Sequence, residues 1–216
     1  SNQAALLFKE NVDVTVRRTR IFDSEIGMRV RGPTDARPLG AQVRVESSLL
    51  YDLDVGIRYE DDVEQLDLYH LTFGESIDTH LVGVSAEAAM LDIRNSLFFG
   101  SDLPTEATSH TSNASAEYAD FEDAVHHDYH LSPDSEAIDA GEPIGGVDTD
   151  LDQDVRVEGD APDLGAFESG HRADTGDTGD TEDTGSAPDT GETDDSDDPD
   201  DGPEDSAPSD DTGLDS

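Results

Sequence analysis

Apolar and polar residues alternate in short segments along the first hundred positions, and these segments recur. Each segment has apolar residues two positions apart, then a polar break, then a further apolar residue. Four copies align without gaps, at residues 14–22, 43–51, 66–74 and 91–99, with offsets of 29, 23 and 25 residues. This pattern predicts a period-2 strand, a tight turn and a second short strand in every copy.

A second apolar element follows the first two copies at a fixed distance, at residues 26–30 and 55–59, with a looser copy at 77–81. Repeats of about 20 to 30 residues with strands and no helical period are typical of a β-solenoid, whose coils bury an apolar face by stacking. A leucine-rich repeat fits worse, because no helical period follows each strand. The predicted inward stacks are Val14/Val43/Leu66/Leu91, Val16/Val45/Leu68/Ile93, Ile21/Leu50/Phe73/Phe98 and Ile26/Val55/Ile77.

The repeats resemble those of a known superfamily. Their pattern, V-x-V/I-x-x-S/T-x-I/F followed by G-I-x-V, is similar to the coils of right-handed parallel β-helix proteins of the pectate-lyase-like superfamily, over residues 6–103. The resemblance implies an all-β fold, a right-handed parallel β-helix, that is the C-terminal part of a longer solenoid. The three-aspartate signature of polygalacturonases and the clustered motifs of pectate lyases are not visible in the sequence.

The region after the repeats has a resemblance of its own. It contains D-Y-H-L-S-P-D-S-E-A-I-D-A-G from Asp128, T-D-L-D from Thr149, then Arg156, then D-L-G-A-F-E from Asp163. This order is similar to the C-terminal region of choice-of-anchor Q β-helix proteins, except at Gln153 and Val155, where that family usually has Gly and Pro. The resemblance implies a bacterial protein that is secreted or held at the cell surface.

Composition divides the chain into three expected parts. Residues 1–103 are expected to form the parallel β-helix coils, 104–168 an irregular C-terminal cap, and 169–216 a disordered spacer rich in Asp, Thr and Gly. The spacer carries 18 acidic residues against one base, Arg172. Such a segment has too little apolar surface to offset its chain entropy, and its charges repel one another.

Net charge excludes several classes of partner. The chain has 54 acidic and 12 basic residues, a formal charge of −42, and no cysteine. This charge repels nucleic-acid phosphates and anionic membrane surfaces. No apolar run reaches the roughly 18 residues that span a bilayer, and disulfides are impossible. We therefore expect a monomer in an extracellular or cell-surface setting, and a bacterial and a haloarchaeal source both fit.

Outward positions of the predicted coils also stack, and they supply the candidate catalytic residues. Thr15, Arg44, Asp67 and Asp92 share one column. Asp67 and Asp92 on adjacent coils are expected about 5 Å apart, the separation of a retaining glycosidase pair. A solvated polar face is the alternative, because every solenoid places polar residues outward.

Two further groups are candidates for binding. Arg29, Arg58 and His80 form a predicted outward column, and its guanidinium groups suit the carboxylates of acidic sugars. A loop with carboxylates two residues apart resembles a Ca²⁺ site and makes Ca²⁺ the one candidate cofactor. Its candidate ligands are Asp148, Asp150, Asp152 and Asp154. The loop lacks the Gly and Glu of an EF-hand, and a turn with Asp side chains bonded to backbone amides is the alternative.

Two functions follow from these observations. The favoured one is a non-catalytic secreted or cell-surface module for display, adhesion or glycan contact, with a polysaccharide or a cell-envelope component as partner. The alternative is a polysaccharide-active enzyme, a lyase or a glycoside hydrolase. Its site would then lie in the coil groove or in N-terminal coils that precede this sequence.

Overall fold

The computed structural model describes residues 3–60, 63–84, 90–100, 103 and 109–170. The chain divides into two units, Ser1–Thr175 and Gly176–Ser216. The predicted disordered spacer, 169–216, lies outside the described residues except for Ser169 and Gly170.

Regular structure in the described residues is almost entirely β. There are fourteen strands and two short 3-10 helices, which span Tyr118–Asp120 and Ala124–His126. The strands are β1 (Ala4–Phe8), β2 (Asp13–Arg17), β3 (Arg20–Ile21), β4 (Ser24–Val30), β5 (Gln42–Leu50), β6 (Leu53–Tyr59), β7 (Gln65–Phe73), β8 (Ile77–Gly83), β9 (Leu91–Arg94), β10 (Leu97–Phe99), β11 (Ser109–Thr111), β12 (Ala114–Ala116), β13 (Phe121–Asp123) and β14 (Asp128–Leu131). The predicted all-β class is confirmed.

The strands form two parallel sheets and one antiparallel pair. The first sheet has the order β1-β4-β6-β8. The second sheet contains β2, β3, β5, β7, β9, β10, β11 and β12, and every pairing within it is parallel. Strands β13 and β14 pair antiparallel. The repeats that begin at residues 14, 43 and 66 each contribute to the second sheet and then to the first, and equivalent strands of neighbouring repeats pair with each other.

The register of the second sheet agrees with the predicted stacks. Val14, Val43, Leu66 and Leu91 are successive register partners, as are the next two predicted stacks. The rings of Phe73 and Phe98 stack with centroids 4.7 Å apart. These columns form a continuous buried core, because parallel pairing places equivalent apolar side chains above one another.

The fourth predicted stack is wrong in its last member. Val55 pairs with Thr79, whereas Ile77 pairs with Leu53. The chain in β8 is therefore displaced by two residues from the sequence alignment. A two-residue displacement preserves the period-2 alternation, so the hydrophobic pattern does not distinguish the two registers.

The parallel pairing extends beyond residue 103, into the region that the sequence assigned to the cap. Strand β11 pairs with β9, and β12 pairs with β10. The residues of these two strands are Ser-His-Thr and Ala-Ser-Ala. Because they lack large apolar side chains, they carry no periodic hydrophobic signal.

Hydroxyl side chains close the turn between the two strands of each repeat. The Ser48 hydroxyl accepts a bond from the Thr19 N–H at 3.1 Å and donates to the Glu46 carbonyl at 2.8 Å. Ser96 makes the equivalent pair of bonds. The side-chain oxygen of Asn113 then accepts the Ser96 N–H at 2.8 Å. The turns at residues 18–19, 47–48, 70–71 and 95–96 are together called the turn column. Its side chains satisfy backbone groups that the strand ladders leave unpaired.

The described residues after β12, 117–170, are called the C-terminal segment. This segment packs against the turn column and forms a second core. Leu49 and Leu97 of the second sheet lie in one buried cluster with Tyr129, Leu164 and Phe167. The segment also bonds directly to the sheet, since the Gly165 N–H donates to the Asn95 carbonyl at 2.8 Å. The cap is thus an integral part of the folded unit.

Candidate functional site

Outward side chains of four neighbouring strands in the second sheet form a continuous polar face. In one column Thr15, Arg44, Asp67 and Asp92 are register partners, as predicted. The adjacent column contains Arg17, Glu46, Tyr69 and Arg94. We call these eight residues the polar face.

The two candidate catalytic carboxylates lie side by side on adjacent strands, β7 and β9. Asp92 accepts a hydrogen bond from the Tyr69 hydroxyl at 2.8 Å, and it pairs with Arg94 at 2.8 Å. Asp67 is buried and accepts bonds from the Gln65 amide at 3.0 and 2.9 Å. Both carboxylates are therefore held by groups of their own chain.

Arg44, the third candidate, is held in the same way. Its Nε lies 2.6 Å from a carboxylate oxygen of Glu46, and an Nη donates to the Gly145 carbonyl at 3.3 Å. Its guanidinium also lies 4.8 Å from the centre of the Tyr69 ring, whose other cationic neighbour is Arg94 at 5.8 Å. Such contacts orient both the cations and the ring.

The polar face balances its own charge. Arg17 pairs with the second oxygen of Glu46 at 2.7 Å, so this buried carboxylate has one guanidinium on each oxygen. Three arginines of the face thus match three carboxylates. Burial, followed by the bond to Asp92, raises the pKa of the Tyr69 hydroxyl, which stays protonated as a donor. The face is an internally paired surface with no net formal charge within a strongly acidic chain.

The second candidate column is only partly assembled. Arg29 and Arg58 are register partners on β4 and β6, but the next partner is Val82. His80 was predicted to complete this column, and this is wrong because the two-residue displacement of β8 puts Val82 beside Arg58 instead. The His80 ring packs on the core rings of Phe73 and Phe98, at 5.5 and 5.6 Å. This burial lowers the pKa of His80 to about 4.

Arg29 already has an anionic partner. It donates to Glu60 at 2.5 Å, and Arg31 contacts the other oxygen of the same carboxylate at 3.4 Å. Any acidic sugar at this position would compete with Glu60. The predicted column of Arg29, Arg58 and His80 is therefore reduced to two arginines, and Arg29 is paired with Glu60.

The candidate Ca²⁺ loop is a turn closed by Asp150. One oxygen of this buried carboxylate accepts the N–H groups of Asp152 and Asp154, at 2.9 and 2.8 Å. The other accepts the Glu168 N–H at 2.9 Å. Asp148 and Asp154 are exposed. Among the residues that the structure describes, no three carboxylate or imidazole groups are placed to hold a metal ion.

Asp152 is engaged elsewhere. Its two oxygens contact Arg20 at 2.9 Å and His130 at 2.8 Å. Gln153 in this turn has a φ of 79°, a region of backbone space that glycine adopts more readily than other residues.

A buried ionic network, which was not predicted from the sequence, lies beneath the C-terminal segment. Arg156 is 2 % exposed and donates to the carbonyls of residues 165–167, at 3.1 to 3.4 Å. It also donates to the Ser47 hydroxyl at 2.9 Å and lies 3.4 Å from the Glu168 carboxylate. Arg156 thus joins the last described residues to the turn column of the second sheet.

The carboxylates around Arg156 are equally enclosed. Asp163 accepts the Asp139 N–H at 2.7 Å and the Ser169 N–H at 2.6 Å. Burial and the neighbouring Asp163 raise the pKa of Glu168 to about 7. The residues that resemble the choice-of-anchor Q pattern therefore hold the C-terminal segment together in this molecule. In the sequence, only their grouping in that pattern indicated that they belong together.

His70 extends the network into the sheet and is held neutral. It is fully buried, its Nδ1 lies 3.1 Å from the Asp163 carbonyl, and its Nε2 lies 2.9 Å from the amide nitrogen of Asn95. An amide nitrogen only donates, so Nε2 accepts and the single proton sits on Nδ1. Burial, then the charge of Arg156, lowers the pKa of His70 well below its ordinary value.

We therefore expect His70 to make stability fall as the solution becomes acidic. A histidine with a depressed folded pKa contributes stability above its unfolded pKa of about 6.5, and this is lost as pH falls, by about 1 kcal/mol per pH unit. We therefore expect the difference in the free energy of unfolding between the protein and His70→Gln, measured with urea, to shrink as the pH falls from 7.5 to 5. Parallel curves would contradict the assignment. Glu168 titrates in both chains and cancels in the difference.

Comparison with known proteins adds no relative. No protein-family model, no curated protein and no solved structure matches this chain. None of the helices in the described part of the chain has the length and apolar character needed to cross a bilayer.

Proposed function

We propose that this chain is a non-catalytic module of a secreted or cell-surface protein, used for display, adhesion or glycan contact. The observation that carries the proposal is the internal pairing of the polar face. Asp67, Asp92 and Arg44 are each held by side chains of the same chain. A reactive carboxylate needs a lone pair or a proton directed at its substrate. The paired face instead suits a rigid contact surface.

The glycosidase alternative requires two carboxylates with different roles. One acts as nucleophile while the other is a protonated acid. Both oxygens of Asp92 already accept bonds from Arg94, and one accepts a bond from Tyr69 as well. A sugar would have to displace these donors before reaching the carboxylate. This geometry favours the non-catalytic function.

The proposed fold is a right-handed parallel β-helix. Alternation of consecutive strands between two parallel sheets supports it, as does pairing of each strand with its counterpart one repeat later. The C-terminal segment is proposed to be a choice-of-anchor Q type cap, supported by the resemblance of its sequence. On this proposal the acidic spacer holds the module away from a bacterial cell surface.

The cell exterior also agrees with the charge. A formal charge of −42 disfavours anionic partners. A neutral polysaccharide or a cell-envelope component is then the proposed partner, and the module acts as a monomer.

Turnover assays test the absence of catalysis. The purified chain, Asp67→Ala and Asp92→Ala are incubated with polygalacturonate, alginate and neutral polysaccharides, and released reducing ends and unsaturated uronides are measured. We expect no turnover by any of the three proteins. Turnover by the parent chain that both variants lose would establish the enzyme and overturn the proposal. Arg37→Ala, which removes an exposed arginine, is the matched control.

A further inference from the structure

We propose that a row of aromatic rings beside the second sheet binds a neutral glycan chain. The inference rests on the proposed glycan contact and gives it a location. The row begins with Phe22 and Tyr51, which directly follow the inward stack at Ile21 and Leu50. Their rings are nearly parallel, with centroids 5.0 Å apart. We call the following set the aromatic row: Phe22, Tyr51, His127, Tyr129, Phe121, Phe99 and Tyr118.

The third position of the row is a gap that the C-terminal region fills. Where the other repeats have an aromatic residue, this repeat has Gly74. Tyr129 occupies the vacant space, and its hydroxyl accepts the Glu75 N–H at 2.9 Å. His127, two residues earlier, stacks on Tyr51 with centroids 4.4 Å apart. The row therefore continues without interruption.

The far end of the row is built in the same way. Phe121 meets Tyr129 edge to face at 5.3 Å, and Phe99 lies 6.3 Å from Phe121. Tyr118 then meets Phe99 edge to face at 4.8 Å. Successive ring contacts extend across several strands, and an extended set of this kind suits a chain ligand better than a single small molecule.

Tyr129 and Phe121 are buried and form the base of the row, whereas its outer rings are open to solvent. Phe22 is 51 % exposed and Tyr118 is 55 % exposed. The side chain of His127 is 42 % exposed. Aromatic rings normally bury their area in a core or an interface, and a connected set at the surface marks a contact site.

Polar groups lie beside the rings and identify the chemistry of the ligand. Glu75 accepts a bond from the Tyr118 hydroxyl at 2.7 Å, and its other oxygen lies 3.8 Å from Nδ1 of His127. A sugar ring presents an apolar C–H face and a rim of hydroxyl donors. The aromatic rings suit that face, and the carboxylate accepts hydroxyl hydrogens. Because Glu75 and the whole chain are acidic, a neutral glycan is favoured over a polyuronate.

Affinity electrophoresis tests the inference on the complete chain. Gels contain a soluble neutral glucan, a galactomannan, a xylan or polygalacturonate. We expect at least one neutral polysaccharide to retard the protein, and Phe22→Ala and Tyr118→Ala each to weaken retardation about tenfold. Phe22→Tyr retains the ring and should bind. Leu39→Ala, which removes another side chain that is 56 % exposed, is the matched control and should also bind.

The outcomes separate the inference from the proposed function. If a neutral polysaccharide retards both the parent chain and Phe22→Ala equally, glycan contact stands and the aromatic row is not its site. Retardation by polygalacturonate alone overturns the neutral class. If none of the polysaccharides is bound, glycan contact itself fails.

Two further measurements complete the test. If Phe22→Ala converts a self-associating protein to a monomer in sedimentation, the row binds a second copy of the chain and the inference is overturned. Three of the five tyrosines, Tyr51, Tyr118 and Tyr129, belong to the row and the chain has no tryptophan, so a ligand on the row is expected to change the tyrosine fluorescence. We expect a neutral glycan to change this fluorescence in the parent chain and not in the Phe22→Ala, Tyr118→Ala double variant.

Discussion

Replacing Arg156 by leucine is expected to lower the free energy of unfolding by about 3–5 kcal/mol. The substitution removes the cation that contacts Glu168 in the described part of the chain. It also takes a donor from the Gly165 and Phe167 carbonyls and from the Ser47 hydroxyl, whereas the Ala166 carbonyl keeps the Leu151 N–H. The surrounding carboxylates of Asp150, Asp163 and Glu168 stay buried. An uncompensated buried charge is among the largest single destabilising changes in a folded protein.

Urea unfolding followed by circular dichroism measures this loss. Arg156→Lys keeps the charge but not the fork of donors, so it should lose part of the same stability. Arg37→Leu removes an exposed arginine and should change stability by less than about 0.5 kcal/mol. The double variant Arg156→Leu, Glu168→Gln should lose less stability than the two single variants added together. The reason is that glutamine at position 168 leaves no acid without its cation there. An unchanged midpoint for Arg156→Leu would show that the network does not stabilise the fold.

A single methyl group at Gly74 is expected to have the second largest effect. A Cβ atom there would lie 2.6 Å from the hydroxyl oxygen and 2.8 Å from Cε1 of Tyr129. The ring is packed between Tyr51 and Phe121 and has no free space in which to move. Gly74→Ala should therefore destabilise the protein by about 1–3 kcal/mol, the usual range for overpacking.

The clash with Tyr129 can be separated from a backbone effect. In a Tyr129→Ala background the extra methyl group at Gly74 should be nearly neutral, because the space that it needs is then free. Gly145→Ala is the matched control, since a Cβ there meets nothing within 4 Å. If Gly74→Ala destabilises both backgrounds equally, Tyr129 is not the cause. Thermal unfolding at a fixed scan rate measures all four variants.

Three of the four inward stacks could be predicted from the sequence because their physics is local. A period-2 alternation decides which side chains share a face, and equal spacing of the copies decides which residues stack. This reasoning placed Val16, Leu50 and Phe73 correctly. It failed at His80, because a displacement of two residues keeps the same alternation and only the pairing of β8 with β6 distinguishes the two registers.

The candidate site shows the same division. Outward positions of Arg44, Asp67 and Asp92 followed from the alternation, but their pairing with Glu46, Gln65 and Tyr69 did not. Such contacts depend on side-chain geometry between strands. The aromatic row was not visible either, because Phe22 and Tyr118 lie about a hundred positions apart and meet intervening rings only in the folded chain.

By itself the sequence determined that this protein is built from repeated short strands with an acidic surface and an acidic C-terminal stretch. Composition and period-2 alternation are properties of the chain itself and need no folded context. Only the tertiary structure decided that Asp150, Arg156, Asp163 and Glu168 are buried. Charged residues are normally assigned to the surface. Here they are buried where the C-terminal segment meets the turn column, because Arg156 pairs with Glu168 and backbone N–H groups donate to Asp150 and Asp163.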